Sequence, residues 1–131
     1  MHILFMDDDT DRYDRLRKKL PEAIKITHCS DALTTMEAIR TNEYDLVMLD
    51  HDLGYGAPGG DGIEVAKWLS RSRDEYKWKS GCTVIVHSLN PVGAGNMISE
   101  LGRSSITADY IPGAWTRIEC RLNCLVITPS W

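Results

Sequence analysis

Three times along this chain a short run of apolar residues, showing no alternation with polar ones, stops at side chains that bind protons or metals. Ile3-Leu4-Phe5-Met6 runs into Asp7-Asp8-Asp9, Leu46-Val47-Met48-Leu49 into Asp50-His51-Asp52, and Thr83-Val84-Ile85-Val86 into His87-Ser88. A strand with one wet face alternates apolar and polar positions. A run that is apolar at successive positions has both faces covered, as in a parallel sheet between two layers of helices.

The segments between these runs carry helical spacing. From 9 to 20, charged residues surround Tyr13, Leu16 and Leu20 at three- and four-residue intervals, a single apolar stripe that Pro21 stops. Residues 25–28 read as a weaker second strand. Thr34-Thr35-Met36-Glu37 has capping-box spacing for a helix running to about Arg40. A glycine-rich connection with Gly54, Gly56, Gly59, Gly60 and Gly62 leads to a third helix marked by Ile63, Val65, Ala66 and Leu69. A fourth helix is expected over 93–101 and a fifth strand over 106–111. Residues 115–131 are ambiguous: Ile118, Leu122 and Val126 fit a helical stripe, whereas Leu125-Val126-Ile127-Thr128 fits a strand.

Strands and helices that alternate in this way call for an α/β fold of the flavodoxin-like, doubly wound type. The expected sheet has five parallel strands in the order 2-1-3-4-5 and helices on both faces. With 131 residues and no repeat, linker or low-complexity tract, one domain over 1–131 is expected. The net charge of −4 gives no electrostatic basis for binding duplex DNA or a membrane surface. It leaves room for a nucleotide or an RNA end, because a bound cation inverts the local field. The opening apolar run is far too short for a signal-peptide core or a membrane span, so a cytoplasmic location is expected. Cys29, Cys82, Cys120 and Cys124 form no C-x-x-C pair and read as buried or half-buried reduced thiols.

In a 2-1-3-4-5 sheet, strands 1 and 3 are neighbours, so Asp7, Asp8, Asp50 and Asp52 converge at one crevice. Carboxylates this close repel unless a cation neutralises them or some stay protonated. Oxygen donors of this kind suit Mg²⁺ or Mn²⁺, and these four are the expected ligands. Asp9 is placed to cap the first helix instead.

These segments resemble a known family. Residues 3–9 resemble the opening of bacterial response-regulator receiver domains. Asp45-Leu46-Val47-Met48-Leu49-Asp50, with Gly60-Asp61-Gly62-Ile63-Glu64-Val65 after it, resembles the surroundings of their phosphoacceptor aspartate. The likeness extends to about Tyr110. It implies that Asp7 and Asp8 hold a metal, that Asp50 stands at the acceptor position and that Ser88 stands at the hydroxyl position.

Two departures alter that implication. Receivers carry a lysine at the end of strand 5, but this chain has none after Lys79, and Asp109-Tyr110-Ile111-Pro112 stands there instead. The arginines at 103, 117 and 121 are candidate substitutes, although a guanidinium and an ammonium are not interchangeable. In addition, His51-Asp52-Leu53-Gly54 and His87-Ser88-Leu89-Asn90-Pro91 resemble the divergent cyclic-phosphate-processing receiver domains. That resemblance implies a metal-assisted phosphoesterase acting on a cyclic-phosphate nucleotide or RNA end. Asp50, His51, His87 and Ser88 are its candidate catalytic residues, with the two histidines as base and acid. Ser88 and Asn90 would orient the phosphate, Gly54 would let the backbone approach it, and Tyr55 would offer a stacking surface.

A geometric constraint opposes part of this picture. If Ser88 points into the pocket, strand alternation sends His87 to the other face. Two other function classes fit the same residues: a stand-alone phosphoacceptor switch, and a pseudo-receiver that only binds a partner. Trp68, Trp78, Trp115 and Trp131 would suit a protein interface in the latter case.

Overall fold

The computed structural model describes residues 1–122 and 124–128. Its sheet contains β1 (His2–Met6), β2 (Lys25–Cys29), β3 (Leu46–Leu49), β4 (Thr83–Val86) and β5 (Ala108–Tyr110). The strands are all parallel and ordered β2-β1-β3-β4-β5, as the sequence predicts. Between them run α1 (Thr10–Lys19), α2 (Ala32–Thr41), α3 (Gly62–Arg71) and α4 (Pro91–Gly102). The apolar runs divide by parity. Leu4, Met6, Val47, Leu49, Val84 and Val86 face the core shared with Val65 and Leu69 of α3 and Met97 of α4. Ile3, Phe5, Leu46, Met48 and Ile85 face the opposite core, which contains Leu16 of α1 and Trp115. Ile3 to Met6 and all of β3 are buried, each side chain contributing roughly 1.5–3 kcal/mol of hydrophobic stabilisation. That burial holds rigid the strand ends on which the aspartates sit.

Helix starts follow local capping chemistry. Asp9 caps α1 as expected, its Oδ1 accepting from the amides of Asp11 and Arg12 at 2.9 and 3.3 Å. The capping box expected at Thr34 is displaced by Asp31, whose carboxylate accepts from Thr34 N at 2.7 Å and begins α2 at Ala32. α4 begins at Pro91, ahead of the expected Gly93, with the Asn90 side chain capping Gly93 N at 3.0 Å. Proline suits that first position because its missing N–H would have no helical partner there. β5 is shorter than the expected 106–111, because Ile106 N still bonds Leu101 O at the exit of α4.

The ambiguous C-terminal segment forms strands. A 3-10 turn at Ala114–Thr116 leads into an antiparallel hairpin of β6 (Ile118–Arg121) and β7 (Cys124–Ile127). The helical stripe fails at Leu122, which is fully exposed and has φ +50°. Ile118 and Trp115 close the core beside α1. All four thiols are free, but Cys124 on the hairpin is exposed rather than half-buried. Trp131 lies outside the described residues. Among the described residues, no helix is long and apolar enough to cross a membrane.

Gly62, the first residue of α3, locks the loop after β3. Its N–H donates to His51 O at 2.7 Å, and a Cβ there would lie 1.9 Å from Asp50 O. Backbone cannot yield to a contact that short. Gly62→Ala is therefore expected to destabilise the fold by about 3 kcal/mol or more, read as a lowered urea midpoint; an unchanged midpoint would contradict this packing.

Candidate functional site

The hydrogen-bond ladder continues one residue beyond the strands. Asp7 N bonds Cys29 O, Asp50 N bonds Met6 O and His87 N bonds Leu49 O, at 3.0, 3.2 and 2.9 Å. The aspartates therefore sit on sheet backbone rather than on loose loops. Asp7 is wholly buried, Asp50 is 3% exposed, and Asp8 is exposed at the mouth. Each offers an oxygen within 4.8 Å of the other two. Asp7 Oδ1 accepts from Asp9 N at 2.9 Å and Asp50 Oδ1 from His51 N at 2.8 Å.

Those hydrogen bonds do not offset the burial. Loss of solvent raises Asp7 above the ordinary carboxylate range, against the Asp9 amide and Arg12. Burial first, and then the neighbouring Asp7 charge, push Asp50 up to about 7. Hard oxygen donors with excess buried negative charge are a fitting donor set for Mg²⁺ or Mn²⁺.

A cavity of about 560 Å³ opens above the cluster. Of the expected residues, Asp8, Asp50, Asp52, Ser88 and Asn90 line it. Asp9, Leu89 and Arg12 complete the lining. Arg12 was not among the sequence candidates. Its Nη1 lies 3.4 Å from Asp7 Oδ2 and 3.7 Å from Asp50 Oδ2, and its guanidinium stacks 4.6 Å from the centre of the Trp115 ring. The arginines considered as lysine substitutes do not reach the cavity. Arg103 pairs with Glu100, Arg121 pairs with Glu119, and Arg117 follows the 3-10 turn. The only trace of Arg12 in the sequence is its place three residues after the capping Asp9, where it reads as one charge on a solvated helix face.

The histidines do not meet over the cavity. His87 is fully buried, stacked on Phe5 at 4.9 Å and edge-on to Trp115 at 5.3 Å. Its Nε2 donates to Met6 O at 3.1 Å, so Nε2 carries the proton. Nδ1 has no hydrogen-bond partner and lies 3.8 Å from Asp7 Oδ2. Burial pushes this imidazole down to about 3, so the contact with Asp7 is not an ion pair. Ser88 lines the cavity and His87 faces away from it, the outcome that alternation requires.

His28 on β2 plays a matching part: it stacks on Tyr13 and its Nε2 donates to Asp7 O at 2.8 Å. Two imidazoles thus pin the end of β1. In the sequence His28 falls inside a weak strand and carries no signal of this role.

His51 turns toward α4, where a Cβ on Gly93 would come within 2.5 Å of its ring. Its Nδ1 lies 2.7 Å from Asp52 Oδ1, and Asn90 Nδ2 donates to the same carboxylate at 3.3 Å. Asp52 therefore groups with His51 and Asp61 rather than with the three-aspartate cluster where it was expected as a ligand. Gly54 sits beside the cluster, its absent Cβ 3.6 Å from Asp8 Oδ2. Tyr55 projects fully into solvent and does not line the cavity.

The raised Asp50 predicts a pH-dependent response to metal. Between about pH 4 and 7 the folded chain keeps a proton on Asp50 that the unfolded chain releases, so folding is favoured at the acid end. That contribution is lost as pH rises through about 7. Mg²⁺ competes with the proton, so its thermal stabilisation is expected to be small at pH 5.5 and to grow toward pH 8. A shift that is equal at both pH values would contradict the assignment.

Comparison with known proteins supplies the lineage. Solved structures with the same fold include the Francisella response regulator 1452 receiver domain, at 26% identity and TM-score 0.59 over 85% of this chain and 82% of that one. The non-phosphorylated receiver domain of the Escherichia coli stress response regulator RcsB aligns at 17% identity and TM-score 0.61, covering 88% and 83%. A two-component response regulator from Clostridium difficile aligns at 21% and 0.58, covering 86% and 82%. No curated protein matches the sequence. The profile of the cyclic-phosphate processing receiver domain matches residues 2–103, from β1 past the end of α4. The chain belongs to the cyclic-phosphate processing receiver domain family.

Proposed function

We propose that this protein is a metal-assisted phosphoesterase that opens a cyclic phosphate on a nucleotide or an RNA end. The observation that carries this reading is the cluster of Asp7, Asp8 and Asp50, two of which line one open cavity with Ser88, Asn90 and Arg12 while Asp7 lies buried beneath, in a chain of this family. Asp7, Asp8 and Asp50 would hold Mg²⁺ or Mn²⁺, which supplies Lewis-acid stabilisation of charge on a phosphoryl oxygen. Ser88 and Asn90 orient the phosphate. Water attacks phosphorus, one ring P–O bond breaks, and the departing oxygen takes a proton. The Asp52–His51 pair is the proton-transfer unit, because Asp52 lines the cavity and is hydrogen bonded to His51. His87 acts here as a positioning residue, holding the Met6 carbonyl behind the cluster. Gly54, beside Asp8, lets the loop backbone approach the phosphate, and Tyr55 is free to stack on a base that extends beyond the cavity.

A screen of nucleoside 2′,3′-cyclic phosphates and cyclic-phosphate RNA ends with Mg²⁺ and Mn²⁺, read by product release, tests this reading. Turnover is expected to need the metal and to fall by about 10²-fold or more in His51→Ala and in Asp50→Asn. Turnover unchanged in both variants would overturn the assigned roles. His87→Ala is expected to cost about 3 kcal/mol of stability through the lost ring, measured by chemical denaturation.

One further observation supports a second reading: Asp50 and Ser88 line the same cavity, and the receiver likeness implies the acceptor and hydroxyl roles for them. As a phosphoacceptor switch binding a protein partner, the chain would gain a base-labile phosphoryl adduct on Asp50 from a small phosphodonor. An unchanged intact mass would discard that alternative.

A further inference from the structure

Arg12 approaches three carboxylates and pairs tightly with none. Its Nη1 is 3.4 Å from Asp7 and 3.7 Å from Asp50, and its Nε is 3.5 Å from Asp9 Oδ2. A committed guanidinium–carboxylate fork makes two parallel bonds of about 2.7–2.9 Å. Arg12 is therefore a shared counter-ion, spread over an acidic cluster too crowded for one cation to satisfy. Its guanidinium carbon lies over the buried Trp115 ring, 4.6 Å from the ring centre. Stacking leaves in-plane N–H donors free for an anion. Among the described residues, Arg12 also brings the only positive charge to the cavity lining, beside Ser88 and Asn90.

A divalent ion on Asp7, Asp8 and Asp50 would neutralise two of the three carboxylates that now hold the guanidinium, leaving the Asp9 and Trp115 contacts in place. We propose that Arg12 is the phosphate-binding residue of this site, and that metal and phosphate bind cooperatively because the metal releases Arg12 from its role as counter-ion. This rests on the reading that the site takes a phosphate group. Coupling of this kind is reciprocal: the factor by which Mg²⁺ tightens phosphate is the factor by which phosphate tightens Mg²⁺.

Isothermal titration of the whole chain with inorganic phosphate, with and without Mg²⁺, and with Mg²⁺, with and without phosphate, tests the proposal. In the unaltered protein each ligand is expected to raise the affinity of the other by about tenfold. Arg12→Gln is expected to weaken phosphate by at least about tenfold. The same change should leave Mg²⁺ affinity, measured without phosphate, unchanged or higher, because a competing cation is gone. A purely structural role would weaken both ligands together.

Folded Arg12→Gln protein that keeps its phosphate affinity, or that loses Mg²⁺ and phosphate in equal measure, overturns the proposal. If Arg12→Gln does not fold, Arg12→Lys replaces it: weaker phosphate binding with Mg²⁺ retained supports the proposal, and unaltered phosphate binding overturns it. No arm measures turnover. Phosphate binding through Arg12 without hydrolysis of any cyclic phosphate would refute only the phosphoesterase reading.

Discussion

Asp7 and Asp50 stand side by side at the ends of adjacent central strands, nearly without solvent and with one shared guanidinium between them. The fold can hold them there because the strands they terminate are buried on both faces, so hydrophobic packing fixes the backbone regardless of what the carboxylates prefer. The rest of the site answers that crowding. Amides of Asp9 and His51 donate to the two carboxylates, His28 and His87 hold the carbonyls behind them, and Arg12 leans in from α1. Asp50 nevertheless remains pushed up to about 7. A pocket with that residual imbalance is suited to a divalent cation and, once the cation is bound, to an anion.

The way positive charge is supplied distinguishes this pocket from what the receiver likeness implies. The strand-5 lysine is absent, and the arginines nearest in sequence to that position point elsewhere. The cation comes instead from the first helix, backed by Trp115 from the segment after β5. An ammonium is a compact point charge, whereas a stacked guanidinium is a plane of donors held at a fixed tilt. The hairpin that follows Trp115 completes the core beside α1 and lies beyond residues 2–103, the part matched by the family.

Much of the fold could be read in the sequence, because unalternating apolar runs and charged helical stripes have few physical alternatives. The order of five strands followed from that pattern and from Asp7 and Asp50 closing two of the runs. The hairpin could not be read: Ile118, Leu122 and Val126 satisfy a helical period, and only a turn at Leu122 defeats it. Alternation alone indicated that His87 and Ser88 would face opposite ways, and that argument outweighs the likeness that put both in the pocket. Asp52 was misgrouped because adjacency to Asp50 in sequence says nothing about which way a loop residue turns. Its hydrogen bonds to His51 and Asn90 decide that. Arg12 was hidden among the many charges of α1, since nothing in a charged stripe marks which side chain turns toward the crevice.

Two groups could hold a cation, Asp7–Asp8–Asp50 and the nearby His51–Asp52–Asp61, and the proposed site is the first. Diffraction from crystals grown with Mn²⁺, measured at the manganese absorption edge, tests it most directly. One dominant anomalous peak is expected, bonded to oxygens of Asp7, Asp8 and Asp50, with Arg12 withdrawn toward Trp115 and Asp9. A peak held instead by His51, Asp52 and Asp61, or none at the end of β1, would contradict it.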